Sequence, residues 1–529
     1  MRGARVTAAR TVRRHRRSRR RPDPVVGERA DPCRRARPDG GAGRCRRPAR
    51  RDPVVREARL VRRPHARGCL ALQRTVMRVK LQDGTFVTCE PRPLGQGGVG
   101  RVFRTTDGRS VVKLFHHPTP ELEKALPLIV GDYRRIADGT EWSELYRWPD
   151  AIVVEPTLGV RLPLVADGFH ELSWLIFLKA LASRPPSWRS WRSRVVIASA
   201  IASAVTRLHG SGLAHSDLSP RNIWVDPLTG RVTLIDIDGL VVPGVVPPQV
   251  LGTPEYIAPE LLVKQARPSS TTDLHSLAVL IYQLLLYRHP LRGPRVCSPD
   301  PAEDDLVALG PDGLFVDHPS DASNRPVSEE WAGFWPTRLL GPQLMEMFSR
   351  AFVAGLRSPG ARPPAGEWVH ALVRLTDRVV ACSSKRCPEG FLPLSDGVAP
   401  ICPWCRTPLK LRKRTPVLHL YQGIGDHRYE PEPHWWIAGT EGRRIYPWHT
   451  AKGIAAATSM NARPIAEVEH DNGVWRLRNH ELAELRVIRD GREHRVIPAG
   501  DSVALHDGLT LLLAAPPRGR AIIVSRFDL

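Results

Sequence analysis

Between residues 77 and 165, short apolar runs are interleaved with polar positions at the two-residue period of strands. The runs are Arg78–Leu81, Phe86–Cys89, Arg101–Arg104, Val111–Phe115, Ala151–Glu155 and Val160–Val165, with a Gln82-Asp83-Gly84 turn after the first. Thr119–Val130 predicts a helix that Pro127 interrupts. From about residue 170 the period becomes helical. Trp188–His209 is a long apolar-periodic segment closed by Gly210, Asp273–Tyr287 is strongly apolar, and Leu344–Leu356 and Pro364–Leu375 follow. Residues 222–239 hold two short strands around Asp226-Pro227-Leu228-Thr229-Gly230. Residues 293–342, rich in Pro, Gly and Asp, predict a loop or insertion. Strands first and helices after predict a two-lobed α+β domain.

The pattern changes after about residue 380. Residues 382–405 form a short cysteine module, and 406–415 read as a basic, Pro-containing linker. From 416 to 529, β-type runs recur at intervals of roughly ten residues with Gly and Asn turns. They are Trp435–Ile437, Ile465–Val468, Val474–Leu477, Leu485–Ile488, Val503–Leu505, Leu509–Leu513 and Ala521–Val524. This spacing predicts an all-β sandwich.

Composition changes the picture mainly at one end. The chain has 529 residues and a net charge of +24, the balance of a nucleic-acid binder. Residues 1–75, however, hold 25 Arg, no Lys and 6 acids, a net of +19, which leaves +5 on the rest. This Arg-, Pro-, Gly- and Ala-rich stretch lacks a periodic apolar face, so residues 1–76 are expected to be disordered. One reading is a polybasic arm for nucleic acid or anionic lipid. The preferred one is sequence upstream of a true start at Met77, since Arg without Lys is what a GC-rich frame yields. Nucleic acid is therefore not the expected partner of the folded body. No apolar run reaches the roughly 18–20 residues that span a bilayer. The longest, Val195 to Val205, lies between Arg194 and Arg207, so no membrane insertion is expected. Of nine cysteines, Cys33, Cys45 and Cys69 lie in the tail, Cys89 and Cys297 stand alone, and four cluster. That usage suits a reducing, cytoplasmic location.

The candidate chemistry centres on His215-Ser216-Asp217-Leu218-Ser219-Pro220-Arg221-Asn222-Ile223, followed by the strand-like run Leu234-Ile235-Asp236-Ile237-Asp238-Gly239. Asp217, Asn222 and Asp236 form the polar set that phosphoryl transfer from ATP needs. One carboxylate orients a hydroxyl nucleophile, while the amide and the second carboxylate hold Mg²⁺. Upstream, Gly95-Gln96-Gly97-Gly98-Val99-Gly100-Arg101-Val102 spaces its glycines so that backbone amides can approach phosphate oxygens. Lys113, on the apolar run Val111–Leu114, is placed to contact the α- and β-phosphates.

Downstream, Gly252-Thr253-Pro254-Glu255-Tyr256-Ile257-Ala258-Pro259-Glu260 ends like a kinase activation segment. Asp273 opens the large helix, and Arg362 fits the late Arg that pairs with Glu260. With these motifs in order, the chain resembles the eukaryotic-like protein kinases of bacteria, in a divergent subgroup with a Cys-rich zinc module. The resemblance implies a kinase domain over 77–378, with catalytic Asp217, Lys113, Asn222 and Asp236. ATP is held by Gly95, Gln96, Gly97, Gly98, Gly100, Val102 and Lys113, and Mg²⁺ by Asn222 and Asp236. The substrate is a protein hydroxyl, Ser or Thr ahead of Tyr. A cognate phosphatase and a von Willebrand factor A protein are implied as partners. Ser216 stands where the family has Arg, Ser219 where it has Lys, and Asp238 where it has Gly. Residues 239–251 contain no Ser, Thr or Tyr, so activation by phosphorylating that stretch is not expected. Arg221 could supply the positive charge missing at Ser219. For the Glu that pairs with Lys113, Glu123 is the first candidate and Glu121 the second.

Cys382, Cys387, Cys402 and Cys405 have the paired spacing of a closed four-thiolate site, so residues 379–409 are expected to form a ribbon around structural Zn²⁺. A redox C-x-x-C would need a βαβ context, which is missing. Residues 416–529 resemble a forkhead-associated (FHA) domain, carried by Gly442-Arg443, Ile465–Val468, Gly473–Asn479 and Val503–Gly508. That likeness implies a phosphopeptide ligand touched by Arg443 and Asn479; read from the residues alone, they are equally a surface Arg and a turn Asn. The Ser and His of the family pattern are missing, with Asn461-Ala462-Arg463 near their place. Two rival readings are a pseudokinase scaffold acting through its zinc and FHA-like modules, and a nucleic-acid-binding protein.

Overall fold

Alternation of buried and exposed side chains builds the first lobe as a sheet. In this computed structural model the described residues are 76–529, apart from 137–139, 178–181, 248–251, 327–336, 395–400, 426–427, 457–461, 484, 490–491 and 528–529. The Arg-rich stretch and Asn461 therefore lie outside the described residues. The strands are β1 (Met77–Leu81), β2 (Phe86–Cys89), β3 (Gly95–Gln96), β4 (Gly100–Arg104), β5 (Ser110–Phe115), β6 (Ala151–Glu155) and β7 (Gly159–Pro163). Among the described residues they form one antiparallel sheet in the order β2-β1-β6-β7-β5-β4-β3. One face buries Val79, Leu81, Phe103, Val112 and Leu114. The other packs Phe115, Ile152, Val160 and Leu162 on Leu126 of the helix Pro120–Pro127. That helix passes at Pro127 into a wider π-helical stretch, Leu128–Tyr133, because proline cannot donate to the α-helical ladder.

The second lobe is helical. Trp191–Gly210, N-capped by Ser190, and Ser270–Leu286, opened by a Ser269/Thr272 capping box, run through its core with Ala365–Asp377. Two short strands, β9 (Ile223–Val225) and β10 (Val232–Leu234), pair beside β8 (His170–Glu171). The strand-like run ends sooner than its pattern predicts. Asp236 takes a left-handed conformation (φ 64°, ψ 32°) and Ile237–Gly239 is a single 3-10 turn. The expected loop at 293–342 contains the helix Pro301–Leu309. Its cap was present in the sequence: Asp300 accepts hydrogen bonds from the backbone N–H groups of Ala302 and Glu303, with proline in the first turn.

Beyond the lobe, β11 (Val379–Ala381) and β12 (Phe391–Pro393) pair as a small antiparallel ladder. Then come β13 (Pro416–Gly425), β14 (Arg428–Ala438), β15 (Arg443–Ile445), β16 (Ala466–Asp471), β17 (Val474–Asn479), β18 (Arg486–Arg489), β19 (Arg492–Val496), β20 (Ser502–Ala504), β21 (Thr510–Leu512) and β22 (Arg520–Arg526). They form two antiparallel sheets, β14-β13-β22-β21-β18-β19 and β15-β16-β17-β20. Leu418, Ile437 and Ile522 from the first sheet and Val468 and Leu477 from the second share one apolar core. Strands β13, β15 and β19 carry no clean apolar alternation, and the pattern misses them. β14 tolerates Pro431 and Pro433 because it is an edge strand. Residues 406–415 are not a free linker. Leu409 and Thr415 are buried, and the Lys413 carbonyl accepts the indole N–H of Trp475 at 3.3 Å. Among the described residues no helix is long and apolar enough to cross a membrane.

Candidate active site

Strand pairing places the predicted phosphate loop beside Lys113. β3 and β4 form the glycine-rich hairpin, with Gly95 opposite Val102 and the Gly97 N–H donating to Gly100 O at 3.0 Å. β4 pairs with β5, which sets Val102 opposite Lys113. A Cβ at Gly95, Gly97 or Gly98 would meet nothing within 4 Å, so the loop leaves open space for a ligand to approach the backbone. At Gly100 a Cβ would lie 2.4 Å from Leu114 O, so that glycine is required by strand packing.

Lys113 reaches across to the second lobe. Its ammonium pairs with the Asp236 carboxylate and with Asp238 Oδ2 at 2.7 Å. Burial opposes the charge, but the two carboxylates outweigh it and hold the ammonium above its ordinary range. Burial also works against the Asp236 carboxylate, yet Lys113 holds its pKa below the ordinary value. Burial and the neighbouring Asp236 push Asp238 up despite Lys113. Two carboxylates share one ammonium, so the cluster keeps an excess of negative charge that suits a divalent cation. Among the described residues neither Glu121 nor Glu123 pairs with Lys113. Glu123 is exposed, on a helix that Pro127 interrupts.

The loop His215–Ile223 is pinned from behind. Asp273, buried at the start of its helix, accepts the backbone N–H of His215 at 2.7 Å and of Ser216 at 3.2 Å. Ser216 has a left-handed φ of 69° and donates its hydroxyl to Gly239 O, which ties this loop to the turn bearing Asp238. Asp217 is held on both oxygens. Oδ1 accepts from the N–H and hydroxyl of Thr253 at 2.9 and 3.0 Å, and Oδ2 from the Asn222 amide at 3.0 Å. The same amide donates to Asp217 O, which leaves Asn222 Oδ1, the atom a metal would take, without a partner among the described residues. Ile235 N–H donates to Asn222 O, and so Asn222 stands beside Asp236. Arg362 and Glu260 meet through two hydrogen bonds of 2.7 Å, as the resemblance implies. Ser219 is fully buried, while Arg221 is exposed.

Residues 180–300 match the protein kinase domain. Among curated relatives, serine/threonine-protein kinase pkn3 of Myxococcus xanthus is 25% identical over 312 residues, 54% of this chain and 49% of the relative. Serine/threonine-protein kinase pkn2 of the same organism is 29% identical over 225 residues, 40% and 25% of the two chains. CBL-interacting protein kinase 16 of Oryza sativa subsp. japonica is 37% identical over 201 residues, 37% and 42%. The chain spans about half or less of the length of these relatives.

Outside the two lobes, the Sγ atoms of Cys382, Cys387, Cys402 and Cys405 lie within 4.8 Å of one another. The pairs Cys382–Cys405 and Cys387–Cys402 are 3.5 and 3.7 Å apart, too far for disulfides. They suit the edges of a tetrahedron around Zn²⁺ with bonds of about 2.3 Å. The backbone N–H of Ser384 donates to Cys382 Sγ at 3.4 Å.

The proposed phosphopeptide contacts are committed elsewhere. Arg443 donates to the carbonyls of Ala438, Thr376 and Val379, which tie the sandwich to the end of the helix Ala365–Asp377. Asn479 is fully buried. Its amide donates to Leu482 O and Ile497 O, and its carbonyl accepts from Leu482 N–H. Both side chains act as structural ties here. The sequence marked Asp238 as a departure but not its pairing with Lys113, and it gave no sign of the Thr253 contact to Asp217. The Gly-to-Asp departure at 238 was the available signal.

Proposed function

We propose that this chain is a protein kinase of a bacterial signalling system, transferring the ATP γ-phosphate to protein hydroxyls, Ser or Thr ahead of Tyr. One observation carries the reading. Lys113, Asp217, Asn222 and Asp236, spread over 124 residues of sequence, converge at the lobe junction, and each is held by a second group. The serine/threonine kinases among its relatives support the acceptor class.

In this reading the hairpin Gly95–Val102 covers the nucleotide and Lys113 binds its phosphates. Asp217, aimed by Thr253 and Asn222, orients the acceptor hydroxyl and takes its proton. Asp236 and Asn222 Oδ1 are the residues that would hold Mg²⁺. When bound, the ion supplies charge neutralisation on the phosphates. The rest of the acceleration is positioning and preorganised electrostatics. Structural Zn²⁺ on the four cysteines and a cytoplasmic setting complete the proposal.

Labelled ATP with Mg²⁺ and a generic protein substrate tests it. Asp217→Asn keeps the hydrogen-bonding shape but loses the carboxylate. It should lower transfer by about 100-fold or more while leaving nucleotide affinity nearly unchanged. Equal transfer by the two proteins would refute the assignment.

A further inference from the structure

We propose that Asp238 is the permanent counter-charge of Lys113, replacing a helix glutamate, and that it frees Asp236 to leave the lysine for the metal. The inference rests on the kinase reading above and assigns a positioning residue to it. Three observations carry it. First, the helix that follows β5 offers Lys113 no acid: among the described residues its ion pairs are with Asp236 and Asp238 alone. Second, the two carboxylates differ in setting. The Asp238 side chain is 2% exposed and that of Asp236 34%, against 11% for Lys113. One is locked in the interior and the other faces the cleft. Third, the turn is built to point both at one ammonium. The left-handed Asp236 starts the 3-10 turn, its carbonyl accepts from Gly239 N–H, and Ser216 Oγ donates to Gly239 O at 3.1 Å.

Physical chemistry then separates their roles. A buried carboxylate is tolerated only with a partner of opposite charge. Asp238 Oδ1 has no hydrogen-bond partner among the described residues, so this buried side chain is held through Oδ2 by Lys113. Asp236 has an alternative, because it can turn toward a cation in the cleft. A lysine held by Asp236 alone would lose its partner when that carboxylate took a metal. Held by Asp238, it stays aimed at the phosphates throughout. The family's glycine at this position would leave this chain with no such anchor.

Nucleotide binding by the full chain tests this, measured with ATP in EDTA and with Mg²⁺-ATP. In EDTA the affinity reports Lys113 without the metal. Asp238→Asn should weaken ATP about 10-fold or more in EDTA, whereas the main effect of Asp236→Asn should be to abolish the gain from Mg²⁺. Asp238→Gly, which restores the family residue, should be as impaired as Asp238→Asn. In a Lys113→Met background, Asp238→Asn should change affinity less than two-fold, because its effect passes through the lysine. Wild-type affinity in Asp238→Asn or Asp238→Gly would overturn the inference while leaving the kinase reading intact. Wild-type protein that binds no nucleotide would overturn both. If Asp238→Asn does not fold, Lys113→Met with Asp238→Leu decides: removing both charges should restore folding, and failure to do so would also overturn the pairing.

Discussion

Gly98 and Gly100 belong to one glycine-rich hairpin but answer to different constraints. Nothing lies within 4 Å of a Cβ at Gly98, whereas at Gly100 the Leu114 carbonyl would be 2.4 Å away. Gly100→Ala should therefore force β4 from β5 and cost about 1–3 kcal/mol in thermal unfolding. Gly98→Ala should leave stability unchanged or raise it slightly, and act only on nucleotide affinity. Equal destabilisation by the two would show that the hairpin packs differently. The spacing of the glycines was legible in the sequence, but these separate reasons were not, since the second depends on the neighbouring strand. The same holds for Lys113. Its run Val111–Leu114 marked it as a lysine on an apolar strand, but its partners lie 123 and 125 residues away.

Elements are tied together by buried polar groups, and these ties respond to pH. His289 follows the helix Ser270–Leu286 and holds the 3-10 turn Pro254–Tyr256. Its Nε2–H donates to Glu255 O at 2.9 Å, and its Nδ1 accepts Leu291 N–H at 3.1 Å. A second proton would set donor against donor at Nδ1. Burial lowers its pKa to about 4, with Arg292 adding to the effect and the Glu255 carbonyl opposing it. The unfolded chain protonates this group near pH 6.5 and the folded chain only near 4. Stability is thus complete above about pH 6.5 and declines as pH falls toward 4, by about 3 kcal/mol in all. His275, also pushed down by burial, acts in the same direction. His289→Gln cannot titrate and should flatten the acid limb of a denaturation series. An unchanged slope would mean that His289 is already charged in the native state. Helices such as Trp191–Gly210 were predictable because their signals are local: apolar period, cap and stop. The helix Pro301–Leu309 was hidden by its Pro- and Asp-rich surroundings although it carries a full N-cap.

At the scale of the whole molecule, the cysteine module joins its neighbours. Val380, Leu392, Cys402 and Leu409 share a core with Val417, Trp436 and Ala438 of the sandwich. On its other side the Tyr287 hydroxyl donates to the Glu389 carboxylate at 3.0 Å, and Trp191 N–H donates to Glu389 O at 3.4 Å. Metal analysis should find about one zinc per chain. Cys402→Ser should release it and lower the melting temperature of the sandwich as well as the ribbon, while the first lobe stays folded. Native protein free of metal, with the same melting profile, would refute the site. By itself, the sequence determined the order of strands and helices, marked Asp217, Asn222, Asp236 and Lys113 as candidates, and showed the four-cysteine module. Each is marked by a short local pattern in the chain, where backbone periodicity and short loops set the geometry. Only the tertiary structure decided that Asp238 pairs with Lys113, that Thr253 aims Asp217, and that Arg443 and Asn479 are structural ties. Those choices depend on which distant groups meet in the interior, where an unpaired charge or amide is too costly to leave, and no local pattern encodes that meeting.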